Sequence, residues 1–348
     1  MRPLTASTSV GAVSNIEPHP AEQRVCGGEV DRPGPEPDTE LLEPRRVPLG
    51  GPRAMPVLRA LPGKNRRMVG AWCFADAYGP VDVSAQAGMQ VPPHPHIGLQ
   101  TVSWLIEGTV HHRDGLGSDQ TVRPGQLSLM TAGHGIAHSE RTPDGAPDLL
   151  HGAQLWVALP ADSREDAPHF EHHADLPVFT LPGARVTVIA GRMDGHESPA
   201  RTYTPLMGAE IVLEADRDVE LPVDPAFEHG LLPLDTPVES HGHHAPAGSM
   251  IYLGTGRTTI RVRAGERAHL LLIGGEPFTE DLVMWWNFVG RDHDEIVRAR
   301  EGWERDRDGA STEERARFAP VTTDPGAALP APELPNARLR PRPSHRGR

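Results

Sequence analysis

The chain has 348 residues, enough for two domains of ordinary size that each bury a core. Its formal net charge of −13 gives no positive field for nucleic acid or an anionic membrane, so direct nucleic-acid binding is not expected. Two cysteines are too few for a disulfide framework, and neither a membrane span of ~18 apolar residues nor a signal sequence is found, which predicts a cytoplasmic protein with no membrane contact.

Residues 1–44 are rich in proline, glycine and acidic side chains and lack a sustained apolar period. Such a segment cannot bury enough surface to offset its chain entropy, so we expect a disordered N-terminal arm. From residue 45 to residue 160, short runs with β-propensity such as LQTVSWLIEG and QLSLMT are separated by Pro-Gly, Asp-Gly and Gly-x-Gly turns. Many short strands with few helical periods predict an all-β barrel or sandwich.

A second series of short strands follows over residues 161–309 and predicts a second, related β-domain. It closes with a predicted helix, because Asp292 and Glu295 have the spacing of a capping box and Ile296, Ala299 and Trp303 have helical spacing. Residues 310–348 are rich in proline and arginine; they predict a solvated tail rather than an anion-binding arm.

Two couplets in the first half each hold two metal-grade ligands two residues apart, His94-Pro95-His96 and His138-Ser139-Glu140. Side chains alternate sides along a strand, so each couplet presents both ligands on one face. If the two strands are neighbours, three imidazoles and a carboxylate meet at one point. Gly133 and Gly135 lie just before the second couplet, where they would permit a turn that aims the chain inward.

This set of ligands suits Fe(II), and also Mn, Co, Ni, Cu or Zn, because no thiolate is present to select a softer ion. Four protein ligands would leave two positions of a six-coordinate ion open for substrate or dioxygen. The alternative is that these are ordinary residues on the face of a barrel. Strand alternation continued from His96 predicts an apolar pocket, with an inward face comprising Gly98, Gln100, Val102, Trp104 and Ile106.

Other histidines form weaker groups. His241 and His243, with His244 adjacent and His229 upstream, could form a second metal site, but no His-x-Glu couplet follows, so a solvated loop is expected. A surface role is expected for His111, His112 and Asp114, which lie beside a predicted hairpin turn.

The His94-Pro95-His96 couplet, the TVSWLIEG run, the turn at residues 114–118, Pro124-Gly125 and MTAGHGIAHSE together resemble the signature of the pirin family. The resemblance extends from about residue 46 to about residue 309. It implies two tandem cupin-type jelly-roll barrels, of which the first holds one mononuclear iron. Matched position by position, the implied ligands are His94, His96, His138 and Glu140.

The resemblance implies two functions. The first is an Fe(II)-dependent quercetin 2,3-dioxygenase, acting on a small flavonol-like aromatic and dioxygen with Glu140 as the base. The second is a regulatory protein whose metal state alters a surface that binds a protein partner, as in transcriptional co-regulators. A third possibility is another cupin reaction such as isomerisation, because the fold and the metal site do not determine the chemistry. The chain departs from many family members at Ile97, Gln100 and His134, which affects the expected pocket rather than the implied ligands.

Overall fold

The computed structural model describes residues 23–25, 38–49, 55–84, 88–307 and 316–340. Within these ranges, the chain forms 26 strands and one α-helix, which confirms the predicted all-β fold. None of the helical structure in these ranges is long and apolar enough to cross a membrane.

The strands of the first half and of the N-terminal segment are β1 (Gln23–Val25), β2 (Thr39–Leu42), β3 (Arg45–Leu49), β4 (Met55–Leu61), β5 (Trp72–Asp82), β6 (Gln90–His96), β7 (Leu99–Glu107), β8 (Val110–Asp114), β9 (Asp119–Val122), β10 (Leu127–Thr131), β11 (Ile136–Arg141), β12 (Leu149–Ala158) and β13 (His169–His173).

The elements of the second half are β14 (Val178–Leu181), β15 (Ala184–Met193), β16 (His196–Glu197), β17 (Leu206–Leu213), β18 (Arg217–Pro222), β19 (Glu228–Pro233), β20 (Val238–Ser240), β21 (His243–Ala245), β22 (Met250–Leu253), β23 (Thr259–Ala264), β24 (Ala268–Gly275), β25 (Leu282–Trp285), β26 (Phe288–Gly290) and α1 (His293–Arg307).

The two halves share one topology. In the first half, four strands in the order β10-β7-β12-β5 form the centre of a larger sheet, and a second sheet has the order β6-β11-β8-β9. In the second half, the corresponding orders are β22-β19-β24-β17 and β18-β23-β20-β21. Each strand of the second half therefore has a strand number twelve higher than its counterpart in the first half. Two sheets with this repeated antiparallel order are the arrangement of two jelly-roll barrels.

The sheets exchange strands across the domain boundaries expected at residues 44/45 and 160/161. Strand β2 lies in the segment expected to be disordered, yet it pairs with β22 of the second half over Thr39–Leu42. Strand β13 falls after residue 160, yet it pairs with β10 of the first half. Each added strand covers a sheet edge, which provides partners for backbone groups that would otherwise be exposed. Strand β1 also lies in that segment and pairs with β25. Disorder was therefore the wrong prediction for residues 23–25 and 39–42; residues 1–22 and 26–37 of the arm lie outside the described residues.

The two halves pack through a continuous apolar core. Trp72 on β5 donates its Nε1–H to the carbonyl oxygens of Met207 and Gly274, both at 3.1 Å. Val102 and Trp104 of the first half belong to the same buried cluster as Leu271 of the second. A shared core of this kind makes the two halves one packed unit.

The predicted helix is present, and its N-terminus is capped as expected. Asp292 accepts a hydrogen bond from the backbone N–H of Glu295 at 2.8 Å. Ile296, Ala299 and Trp303 are buried on one helix face.

The C-terminal segment contradicts the prediction of a solvated tail within residues 316–340. Phe318, Leu329 and Leu339 are buried in one cluster with Trp303 and the β25–β26 hairpin. The Nε1–H of Trp303 donates to the carbonyl oxygen of Leu329 at 2.7 Å. The buried apolar residues of this proline-rich segment lie at irregular intervals, at positions 318, 321, 329, 331 and 339. They give no periodic signal, which is why the sequence pattern did not reveal this packing.

Candidate metal centre

The two couplets lie on adjacent antiparallel strands, as the spacing argument requires. His94 and His96 are on β6, His138 and Glu140 are on β11, and His138 pairs directly with His94. The register shifts between His138 and Glu140, which marks a bulge in β11. All four side chains are buried. The structure thus brings the predicted residues into one region inside the first barrel.

Three imidazoles converge on one point. Suitable ligand atoms of His94, His96 and His138 all lie within 4.8 Å of one another. The Nδ1 atom of His94 bonds to the carbonyl oxygen of Pro92 at 2.9 Å, and Nδ1 of His96 bonds to that of Asn287 at 3.0 Å. A carbonyl only accepts, so both rings carry their proton on Nδ1 and keep an Nε2 lone pair.

The Nε2 atoms are those that would hold an ion. Nε2 of His96 lies 3.1 Å from Nε2 of His138, a separation typical of two ligands on one ion. Nε2 of His94 is buried and has no hydrogen-bond partner among the described residues. Buried polar atoms are seldom left without a partner, and three converging imidazole nitrogens suit a borderline divalent ion, so the residues present fit a metal.

Glu140 lies slightly apart from the three imidazoles. A carboxylate oxygen of Glu140 and ring nitrogens of His112 and His138 lie within 4.8 Å of one another, but Glu140 does not form such a group with His94 and His96. Ser103 donates its hydroxyl to Oε1 of Glu140 at 2.9 Å. The bulge that shifts β11 between His138 and Glu140 accounts for this offset, because it breaks strict alternation at that point.

The ionisation of these groups suits metal binding. Burial lowers the pKa of His94 to about 4 and holds the pKa of His96 and of His138 well below the ordinary value. The three imidazoles are therefore neutral near pH 7, which is the form that binds metal. Burial raises the pKa of Glu140, and this effect outweighs the lowering by His112 and by the Ser103 hydrogen bond.

The predicted inward face of β7 is wrong by one residue. Ser103 contacts Glu140, and Leu99 belongs to the same buried cluster as Trp156, whose ring meets His96. Val102 and Trp104 instead face the other barrel. The alternation breaks at Gly98, whose φ of +67° turns the chain between β6 and β7. Gln100 accordingly bonds to Thr131 and to the carbonyl of Arg201, away from the ligands.

The surroundings of the ligands are nonetheless apolar and aromatic. Trp156 meets His96 edge to face at a ring separation of 5.1 Å and stacks on Phe74 at 4.0 Å. Ile97 faces away from the ligands, in the cluster with Trp285 and Phe288. His134 is partly buried, and its carbonyl accepts a hydrogen bond from Arg317 of the C-terminal segment at 2.7 Å. The two departures from the family pattern at these positions therefore lie outside the ligand set.

The surface role expected for His112 and Asp114 is wrong, because both are buried. Nδ1 of His112 lies 3.4 Å from Nδ1 of His138, and Nε2 of His112 lies 3.2 Å from Oδ2 of Asp114. Alternation along β8 explains the error: Val110, His112 and Asp114 face inward, while His111 is partly exposed. Their i, i+2 spacing, the same as in the couplets, was a signal that could have identified them.

Two further groups that contact the candidate ligands, the carbonyl of Asn287 and the hydroxyl of Ser103, had no such spacing signal in the sequence. The carbonyl of Asn287 comes from the turn between β25 and β26, 191 residues after His96. Ser103 was assigned to the opposite face because of the register error. Backbone contacts between distant segments depend on tertiary packing, which local patterns do not encode.

The second half places aliphatic residues where the first half has the two couplets. Strands β18 and β23 correspond to β6 and β11, and their inward residues include Leu221, Ile260 and Val262. His241 and His244 are exposed, as expected of solvated residues, but the loop prediction is wrong for His243 and His244, which lie on β21. His229 is buried elsewhere, on β19.

Comparison with known proteins identifies the family. The family model described as Pirin matches residues 54–157, and the model described as Pirin C-terminal cupin domain matches residues 208–309. A Pseudomonas aeruginosa protein is 43% identical over 315 residues, which cover 89% of this chain and 96% of the relative. The chain belongs to the pirin family. That P. aeruginosa pirin relative is named "Putative quercetin 2,3-dioxygenase PA1205".

Other pirins agree with this assignment. A pirin-like protein of Caulobacter vibrioides is 35% identical, with 81% of this chain and 98% of the relative covered. A crystal structure of quercetin 2,3-dioxygenase from Acinetobacter baumannii is 41% identical, with a TM-score of 0.80, 87% of this chain covered and 98% of that chain. The resemblance found in the motifs is thereby confirmed.

Proposed function

We propose that this pirin is a dioxygenase that holds one mononuclear metal, Fe(II), on His94, His96, His138 and Glu140 and cleaves quercetin or a similar flavonol. The observation that carries the proposal is the set of three buried imidazoles whose Nε2 atoms converge. The relatives named as quercetin 2,3-dioxygenases at 43% and 41% identity support the choice of reaction.

The chain's own residues would divide the work. Pro92 and Asn287 fix the orientation of two imidazoles through their carbonyl oxygens. Glu140 would accept the proton of the substrate's hydroxyl group, and the Ser103 hydroxyl holds one carboxylate oxygen in place. A bound divalent ion supplies Lewis acidity and open positions at which a deprotonated flavonol and dioxygen can react.

The environment favours a flat aromatic substrate. Phe74, Trp156, Leu99 and Met130 belong to one buried apolar cluster, and Trp156 of this cluster contacts His96. Apolar walls with a few placed polar groups are typical of small-molecule sites, and they limit the access of water to the reacting atoms.

The test is anaerobic loading of untagged protein with Fe(II), followed by addition of air and quercetin. We expect loss of flavonol absorbance and release of carbon monoxide. His96→Ala should lose both the metal and the turnover, whereas the matched control His229→Phe, a buried histidine of the second half, should keep both. Iron-loaded protein that leaves quercetin intact would refute the proposed reaction and favour the regulatory alternative. Turnover by His96→Ala would refute the metal site.

A further inference from the structure

His112 and Asp114 form a buried pair directly behind one of the three imidazoles. His112 lies on β8, opposite Glu140 in the β8–β11 ladder, and stacks on Phe170 with ring centroids 4.3 Å apart and an interplanar angle of 12°. Its Nδ1 points to Nδ1 of His138 at 3.4 Å. Its other nitrogen, Nε2, points to the carboxylate of Asp114 at 3.2 Å. The stack and the two contacts hold the ring from three sides.

The contact between Nδ1 of His138 and Nδ1 of His112 differs in kind from the Nδ1 contacts of the other two imidazoles. His94 and His96 donate from Nδ1 to backbone carbonyls, which can only accept, so the protonated nitrogen of each ring is fixed. His138 instead faces another imidazole, and a neutral imidazole nitrogen either donates or accepts. Without a further constraint, His138 could carry its proton on Nε2, which would remove the lone pair that faces His96.

Asp114 supplies that constraint. Its Oδ1 accepts hydrogen bonds from the backbone N–H groups of Leu116 at 2.9 Å and Ser118 at 3.0 Å, which fixes the carboxylate within the turn after β8. Its Oδ2 is then left to accept from Nε2–H of His112. With the proton of His112 on Nε2, Nδ1 of His112 must accept, and Nδ1 of His138 must donate.

We infer that His112 and Asp114 are positioning residues that hold His138 in the tautomer and orientation in which its Nε2 can bind the metal. The inference rests on the proposed metal site. Hydrogen-bond partners of this kind, one step behind a ligand, commonly change metal affinity ~10–100-fold when they are replaced. In this role His112 is not itself a ligand, although it lies within ligand distance of His138 and Glu140.

Two variants separate the contributions. His112→Phe keeps the aromatic stack on Phe170 and removes the acceptor for His138. Asp114→Asn keeps an oxygen for the Leu116 and Ser118 amides but places an N–H group opposite Nε2 of His112. That group can only donate, so it favours the His112 tautomer with its proton on Nδ1 and thereby the wrong tautomer of His138. His229→Phe is the matched control for replacing a buried imidazole.

The experiment measures metal affinity by chelator competition with Co(II) as the probe, together with thermal unfolding of the metal-free proteins. We expect His112→Phe and Asp114→Asn each to bind one ion about 10–100-fold more weakly than wild type, and His229→Phe to bind like wild type. Affinities equal to wild type in both variants would overturn the inference. Loss of binding as complete as in His96→Ala would identify His112 as a ligand and also overturn it. Absence of binding by wild type itself would refute the proposed site rather than the role of the pair.

Should His112→Phe fail to fold, the wild type still decides the matter. Nitrogen-15 shifts of the imidazoles in the metal-free protein report which nitrogen carries each proton. We expect His138 to be protonated on Nδ1 and His112 on Nε2. The reverse assignment for either ring would overturn the inference.

Discussion

Replacing Asp324 with alanine should destabilise the protein and loosen the strand that carries His138. The side chain of Asp324 is buried, and its carboxylate accepts from Nε and Nη2 of Arg141 at 2.6 and 2.8 Å and from the N–H of Gly326 at 2.7 Å. Arg141 is the last residue of β11. Removing one partner of a buried ion pair costs ~3–5 kcal/mol; the Arg141 side chain is 21% exposed, so water can offset part of this loss, and we expect a cost of about 2–3 kcal/mol.

The assay is urea unfolding at pH 7, with Glu197→Ala as the control. Glu197 pairs with Arg192 at 2.7 Å, but both side chains are more than 60% exposed, so we expect no measurable change in the control. The hydrogen bonds from Arg141 and Gly326 hold the pKa of Asp324 below its ordinary value despite its burial, which raises it. The stabilisation should therefore be present at neutral pH and disappear as the pH falls below about 4. Wild-type stability of Asp324→Ala at pH 7 would refute the reasoning.

Three further predictions concern other parts of the chain. Gly133→Ala should lower the free energy of unfolding by about 3 kcal/mol, because φ is +51° and the new Cβ would lie 2.0 Å from the carbonyl oxygen of Asp166. Gly117→Ala, at φ +89° but with open space around the new Cβ, should lower it by only about 1 kcal/mol. Equal losses for the two variants in urea unfolding would contradict this account. Burial lowers the pKa of His229 to about 4, so below about pH 6.5 the unfolded chain binds a proton at this residue that the folded chain does not. Relative to His229→Phe, wild type should therefore lose about 2 kcal/mol of unfolding free energy between pH 7 and pH 5. Parallel pH curves for the two proteins would exclude this effect. Burial raises the pKa of Cys73 to about 12, so peptide mass spectrometry should find Cys73 alkylated at pH 8 only after denaturation; modification of the native protein would show that the site opens.

The strongest sequence signals were those that depend on one strand at a time. The spacing of His94 with His96 and of His138 with Glu140 predicted correctly that each couplet belongs to a strand. The structure meets the further condition that the two strands are neighbours, which the spacing itself left open. Sequence alternation failed across Gly98, because a positive φ between β6 and β7 changes which residues face inward, and a side-chain pattern does not encode that turn. The capping box at Asp292 succeeded for the same local reason as the couplets.

The sequence patterns did not predict which distant segments of the chain pack together. The tail looked solvated because proline and arginine dominate its composition, yet Phe318 and Leu329 are buried against Trp303. His112 was assigned to the surface because a turn follows it, although the alternation Val110, His112, Asp114 was visible in the sequence. The burial of Phe318 and Leu329 depends on contacts that only the folded chain defines, whereas the burial of His112 follows from the local alternation of β8.

The proposed metal centre of the first barrel depends on segments far along the chain. The carbonyl of Asn287 orients His96, the N–H of Leu329 donates to the carbonyl of Pro93 beside His94, and Arg317 bonds to the carbonyl of His134 before β11. The second barrel repeats the same sheet order with an aliphatic interior, so it contributes support rather than ligands. These contacts come from residues after 280, so the hairpin and the C-terminal segment support the geometry of the strands that carry the two couplets. The two couplets therefore identify the proposed centre, and the second half and the C-terminal segment support it.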